Sequence, residues 1–125
     1  MSENLVSRGV RGAITIESNT EAEIEAATVE LLGVLLEKNK IEAKDISHVI
    51  FSLTKDIDAA FPAKFARKNL GWDYVPMICT NELGVPESLK KCIRVLMVVN
   101  TSLSQEAIHH AYLKGAAKLR PDLVD

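Results

Sequence analysis

Apolar residues alternate or recur at helical spacing along most of the chain, and each such stretch predicts an element. Residues 10–17, VRGAITIE, predict a first strand, because Ile14, Thr15 and Ile16 are β-branched and favour extended backbone. Thr20 and Glu23 form a T-x-x-E capping box that starts a helix, and Glu21 adds negative charge to the first turn. Ile24, Ala27, Leu31 and Leu35 follow at helical spacing, with Thr28 and Leu32 beside them. That stripe predicts a helix to about Asn39 and needs another layer to cover it.

The run HVIFSL at 48–53 predicts a second strand. Pro62 suits the first turn of a short helix, PAKFARKNL, which Gly71 ends. YVPMICT at 74–80 predicts a third strand, and Pro76 within it implies a sheet edge or an irregular start. Residues 81–88 form a turn-rich loop with Gly84 and Pro86, and KCIRVLMVVN at 91–100 is the strongest strand in the chain. A last helix is predicted over 105–119, capped by Ser104, with Ile108, Tyr112, Gly115 and Leu119 on one stripe and Pro121 as its stop.

The resulting order, β-α-β-α-β-β-α, predicts an α+β or mixed α/β sheet with helices packed on one face. The segment KCIRVLMVV is apolar on both faces. Something must therefore cover the face the helices leave open, and the simplest cover is another copy of the chain.

Composition narrows the function. The 125 residues suit one domain spanning 1–125, and 47% hydrophobic content supports a packed core. A net charge of -2 gives no footprint for nucleic acid or an anionic membrane surface. No run approaches the length of a membrane span, and MSENLVSRGV lacks the layout of an export signal. Cys79 and Cys92 show no C-x-x-C spacing, so free thiols in a cytoplasmic protein are expected.

Arg94 is the residue that least suits an ordinary core. It sits mid-strand between Ile93 and Val95, on the same face as Cys92, Leu96 and Val98. A guanidinium there must meet a ligand anion or a carboxylate such as Glu82, and residue type leaves both open. Arg11 precedes Gly12, which lets a ligand or partner approach the backbone. Lys64 and Arg67 share a helix face and alone read as solvated charge, and Arg120 before Pro121 alone reads as a charge that favours a helix C-terminus. His109 and His110 are adjacent on the predicted helix, so they point apart and cannot chelate one metal well. Cys79 reads as a core cysteine, and Asp56 and Asp58 as loop residues. No phosphate loop, nucleophile elbow, zinc motif or dinucleotide fingerprint is present.

VRGAITIE at 10–17, AAFPAKFAR at 59–67, GWDYVPMICTNE at 71–82, LKKCIRVLMVV at 89–99 and HAYLKGAAKLRPDL at 110–123 together resemble the Bacillus-type chorismate mutase family. They occur in that family's order and spacing over nearly the whole chain. The resemblance implies a homotrimeric pseudo-α/β barrel with active sites between subunits. It also implies rearrangement of chorismate to prephenate for phenylalanine and tyrosine synthesis, without cofactor or metal. Arg94, Glu82 and Arg11 match the catalytic positions, and Cys79 and Tyr112 further substrate contacts. Phe61, Lys64 and Arg67 match residues brought by the neighbouring subunit, and Leu119 and Arg120 the segment closing near the ligand. Ile78 stands where the family commonly has threonine, so a hydroxyl contact is lost there. A non-catalytic trimeric metabolite-binding domain is the rival reading, which turnover of chorismate would separate.

Overall fold

The computed structural model describes residues 4–123. Its sheet has 5 strands in the order β3-β2-β4-β1-β5, where β1 is Val6–Thr15, β2 Ile46–Leu53, β3 Met77–Asn81, β4 Cys92–Thr101 and β5 Ala111–Leu113. The helices are α1, Glu21–Asn39, and α2, Pro62–Leu70. Strand β4 lies at the centre, antiparallel to β1 and β2, while β3 and β5 are parallel edge strands. The expected mixed sheet with helices on one face is the fold observed.

Local chemistry explains the helix ends. Thr20 Oγ1 accepts from the Glu23 N–H at 3.2 Å and starts α1. The reciprocal half of a capping box is absent: Glu23 Oε1 accepts instead from the Glu17 N–H at 2.9 Å, tying down the turn before the helix. Pro62 opens α2, and Gly71 closes it at φ 70, a left-handed geometry that glycine adopts without strain.

Side chains on the helix side of the sheet are buried: Val10 and Ile14, Val49 and Phe51, Ile93, Val95, Met97 and Val99. Leu31, Leu32 and Leu35 of α1, with Phe65 of α2 and Trp72, complete this core. Gly12 is what lets α1 lie so close. A Cβ there would come within 2.9 Å of Leu31 and 3.0 Å of Leu35, so the glycine serves helix packing, not ligand approach.

The opposite face is only partly covered. Register puts Gly9, Arg11 and Ala13 of β1 beside Val98, Leu96 and Arg94 of β4 on that face, with Ser52, Ile50 and His48 of β2 across from them. Leu96 is 38% exposed and Ile78 is 61% exposed. This is the face the double-sided apolar pattern of β4 implied was open.

The predicted C-terminal helix is not formed. Residues 105–119 instead make a 3₁₀ turn, Gln105–Ala107, then β5, then a second 3₁₀ turn, Lys114–Lys118. Ser104 precedes the first turn without a side-chain cap. Two contacts and one backbone angle oppose a helix here. Asn39 accepts from the His109 N–H at 2.7 Å and donates to the His109 carbonyl at 2.8 Å, holding that residue extended. The free edge of β1 offers a parallel ladder at Gly12, Ala13 and Ile14. Lys114 sits at φ 53, which a helix cannot contain. The supposed stripe is therefore split: Ile108 joins the main core, while Tyr112 turns to the open face.

Two smaller differences have local causes. Strand β1 begins at Val6, because pairing with β4 extends it over Ser7, Arg8 and Gly9, which carry no apolar alternation. Strand β3 begins after Pro76, whose carbonyl accepts from the Val49 N–H at 2.9 Å, and the strand lies at the edge its proline implied.

Candidate active site

The residues singled out by sequence fall into two groups. The first lies on the open face. Arg94 of β4 is cross-strand from Ala13, two pairs along the ladder from Arg11 and Leu96. Tyr112 of β5 is cross-strand from Ala13 on the other side, so it too faces outward. Tyr112 is buried in a small cluster with Ala13, Cys92 and Ala116, against which Leu89 and Leu119 pack. The segment after β5 folds over this end of the face, anchored by the Gly115 N–H donating to Thr15 Oγ1 at 2.9 Å. That wrap delivers Leu119 and Arg120.

Glu82 follows β3, where its N–H donates to the Leu53 carbonyl at 2.8 Å. Its carboxylate reaches the open face, with Oε1 3.3 Å from Arg94 Nε. The ion pair that residue type left open is therefore present. Its alignment is poor: Arg94 Nε is buried yet has no hydrogen-bond partner. An orphan guanidinium donor inside a protein is costly unless something else accepts from it.

Of the other charges on this side, Arg120 is committed locally. Arg120 makes a two-point pair with Asp122, Nε to Oδ1 at 3.0 Å and Nη2 to Oδ2 at 2.8 Å. The hydrogen bond to Asp122 raises the Arg120 pKa and lowers that of Asp122. The Arg11 backbone N–H donates to His110 Nδ1 at 2.9 Å, while its side chain is exposed.

The second group lines a groove of about 490 Å³ between α2 and the end of β3. Phe61, 68% exposed, stands at its mouth with Lys64, Cys79 and Thr80. Cys79 pairs with Phe51, a core residue, so its side chain points to the helix side, away from Arg94. Burial raises the Cys79 thiol pKa, against smaller opposing effects from the Ala63 backbone and Arg67. Ile78, its neighbour, faces the open side with Arg94. Lys64 pairs with Glu21 at 3.1 Å and lies 5.5 Å over the Phe65 ring. Arg67 is exposed on the same helix. Within one chain, then, Arg11, Arg94, Glu82, Tyr112, Leu119, Arg120 and Ile78 share a side, and Phe61, Lys64, Arg67 and Cys79 lie on the other.

Two supports escaped the sequence reading. Asn19 Oδ1 accepts from the Asp58 and Ala59 N–H groups, both at 3.1 Å, and its amide donates to Asp58 at 2.7 Å, which shapes the loop before Phe61. Asp56 accepts from the Lys91 N–H at 3.0 and 3.1 Å and sets the entry to β4 just before Arg94. A lone loop Asn or Asp has no spacing signature, so neither stood out. Among the described residues no cluster of metal-ligating side chains occurs, and no helix is long and apolar enough to cross a membrane.

The family model for chorismate mutase type I matches residues 7–123 of this chain. A chorismate mutase of Bacillus subtilis is 45% identical over 119 residues, covering 95% of this chain and 94% of that protein. One of Thermus thermophilus is 46% identical over 117 residues, covering 93% of this chain and 95% of that protein. Among solved structures, a chorismate mutase from Clostridium thermocellum matches with a TM-score of 0.86 at 51% identity, covering 88% of this chain and 97% of that one.

Proposed function

We infer that this chain, which belongs to the chorismate mutase type I family, converts chorismate to prephenate on the route to phenylalanine and tyrosine. The reaction is a unimolecular [3,3] rearrangement. It requires a folded-over substrate conformer and stabilisation of the partial negative charge on the ether oxygen as its bond to carbon breaks. Neither a nucleophile nor a proton donor of tuned pKa is needed.

One observation carries the assignment of the site: Arg94 presents a buried donor with no hydrogen-bond partner on the face it shares with Arg11. In the proposed complex Arg94 donates to the ether oxygen and to a carboxylate, a task for which its planar fork is suited. Arg11 holds the enolpyruvyl carboxylate with help from Tyr112. Glu82 accepts from the ring hydroxyl and keeps Arg94 oriented. Phe61 walls the compact conformer, Cys79, Ile78 and Leu119 line the pocket, and Lys64, Arg67 and Arg120 steer the dianion.

The two groups face opposite sides of the sheet, so a single chain does not bring them together. A homotrimer resolves this: a neighbouring copy places its groove, with Phe61, Lys64 and Cys79, and the Arg67 of its α2, against the Arg94 face. The exposed Leu96 and Ile78 support burial of that face between subunits. The whole chain acts as one domain, in the cytoplasm, where the free thiols of Cys79 and Cys92 suit a reducing environment. The test is consumption of chorismate by the purified protein. Saturable kinetics with prephenate as product are expected; binding without turnover would refute the activity.

A further inference from the structure

Strand β1 has a gap on its β5 side at Arg11. On that side it has ladder partners only at Gly12, Ala13 and Ile14. Arg11 lies one residue before that ladder begins. Its N–H is nevertheless satisfied, because the His110 imidazole comes in at the start of β5 and accepts at Nδ1, 2.9 Å away. A side-chain ring thus replaces the backbone carbonyl that a longer β5 would supply.

We propose that His110 is a positioning residue for substrate binding, fixing the backbone of Arg11 through this hydrogen bond and so aiming the Arg11 guanidinium at the substrate carboxylate. The inference rests on the reading of Arg11 given above. His110 touches no substrate atom in it.

The chemistry constrains the ring. An Nδ1 that accepts carries no proton, so the proton of the neutral imidazole sits on Nε2. Protonation would put a hydrogen on Nδ1 facing the Arg11 N–H, two donors opposed. The surroundings prevent this near neutrality. Burial, then the positive charges of Arg11 and Arg120, with His109 beside it, push His110 below the ordinary histidine range. Arg8 lines the same hollow with Arg11 and His110. Asp122, the acid on this side, is engaged by Arg120. A cationic neighbourhood and an accepting ring agree on one neutral tautomer.

The anchor acts on the β5 side of β1, whose other side is paired with β4 at Leu96. The Arg11 side chain is exposed, so packing does not hold it. The backbone direction at Arg11 decides where its guanidinium points, and a small error in that direction is amplified along the side chain. Loss of the bond therefore acts on capture of the carboxylate, not on the breaking ether bond, which is the work of Arg94.

The experiment compares His110→Leu, His110→Phe, His110→Asn and Arg11→Ala in the full chain. Asparagine carries an oxygen at the branch where histidine carries Nδ1, so it keeps an acceptor without a titrating ring. Removing the acceptor with leucine or phenylalanine is expected to raise KM for chorismate about three- to tenfold, with kcat little changed. Asparagine is expected to restore KM. Arg11→Ala should raise KM further than any of them. An unchanged KM in both acceptor-less variants, with Arg11→Ala impaired, would overturn the positioning role while leaving the site intact. So would an asparagine variant as impaired as leucine, or misfolding of both acceptor-less variants, which would make the ring a determinant of the fold. If Arg11→Ala itself binds chorismate normally, the assignment of Arg11 to the site is what fails.

Discussion

Arg94 Nε stands 3.3 Å from Glu82 Oε1, close enough for an ion pair but not aligned as a hydrogen bond. The carboxylate therefore balances the arginine without occupying its donor. An aligned, fully bonded pair would leave a substrate oxygen competing with a carboxylate for the same N–H. The misalignment leaves that buried N–H without a hydrogen-bond partner.

This makes the shape of the cation decisive. In Arg94→Lys the charge remains beside Glu82, but an ammonium on a flexible stem does not reproduce a planar fork. We expect kcat to fall on the order of 10²-fold or more, the usual scale for one lost preorganised donor. Steady-state kinetics on a variant with native thermal stability check this, and a kcat near that of the parent would remove Arg94 from the breaking bond.

Cys79 should be dispensable as a thiol. Its side chain points to the α2 groove, and burial keeps it protonated above the normal thiol range. Cys79→Ser is expected to retain substantial activity. Activity that tracks thiolate formation, or a covalent adduct of substrate at this sulfur, would contradict a pericyclic mechanism.

Cys92 offers a pH signature in stability. Burial pushes its thiol from 9.0 up to about 11. Below pH 9.0 the thiol is protonated in both folded and unfolded chains and contributes no pH dependence. Above it the unfolded chain releases the proton first, so folded stability declines until the folded thiol also ionises near 11. Denaturant melts across this window should fall less steeply for Cys92→Ala than for the parent. Equal slopes would mean the thiol does not resist ionisation.

Gly12→Ala tests the packing of α1 on the sheet. The added methyl would sit 2.9 Å from Leu31 and 3.2 Å from the Ala111 carbonyl. Overpacking of this kind typically destabilises by about 1–3 kcal/mol. Chemical denaturation should show that loss. Full stability in the variant would mean that the leucines re-pack without strain.

Assembly can be read directly. If the open face is buried between copies, light scattering should give a trimer at assay concentration. A charge placed there, Leu96→Glu, should dissociate it and abolish turnover together. A fully active monomer would require both residue groups to meet within one chain, against their placement on opposite sides of the sheet.

Much of the architecture was legible because local signals and tertiary contacts agree. Thr20, Pro62 and Gly71 mark helix ends by their own chemistry, and α1 and α2 lie where they indicate. Arg94 stood out because alternation placed a charge among apolar neighbours. The C-terminal element was misread because Ile108, Tyr112 and Leu119 mimic a helical stripe, whereas Asn39, remote in sequence, holds His109 extended. Gly12 was recognisable as a close approach, but not as one made by Leu31 and Leu35. His110 looked inert because its partner is a backbone amide, which leaves no trace in residue type. Cys79 and Glu82 are near in sequence, yet the pleat sends Cys79 to the helix side while the chain carries Glu82 to the open face.

The strand order has a consequence for how the molecule comes into being. Strand β1, made first, is flanked by β4 and β5, made last. Its ladders join residues separated by most of the chain, which places loop closure early among the barriers to folding and favours slow, concerted formation. A nascent chain that has not yet released residues 92–113 leaves Arg11 on a strand with neither neighbour. The sheet face that carries Arg11 and Arg94 is therefore complete only once β4 and β5 have been made.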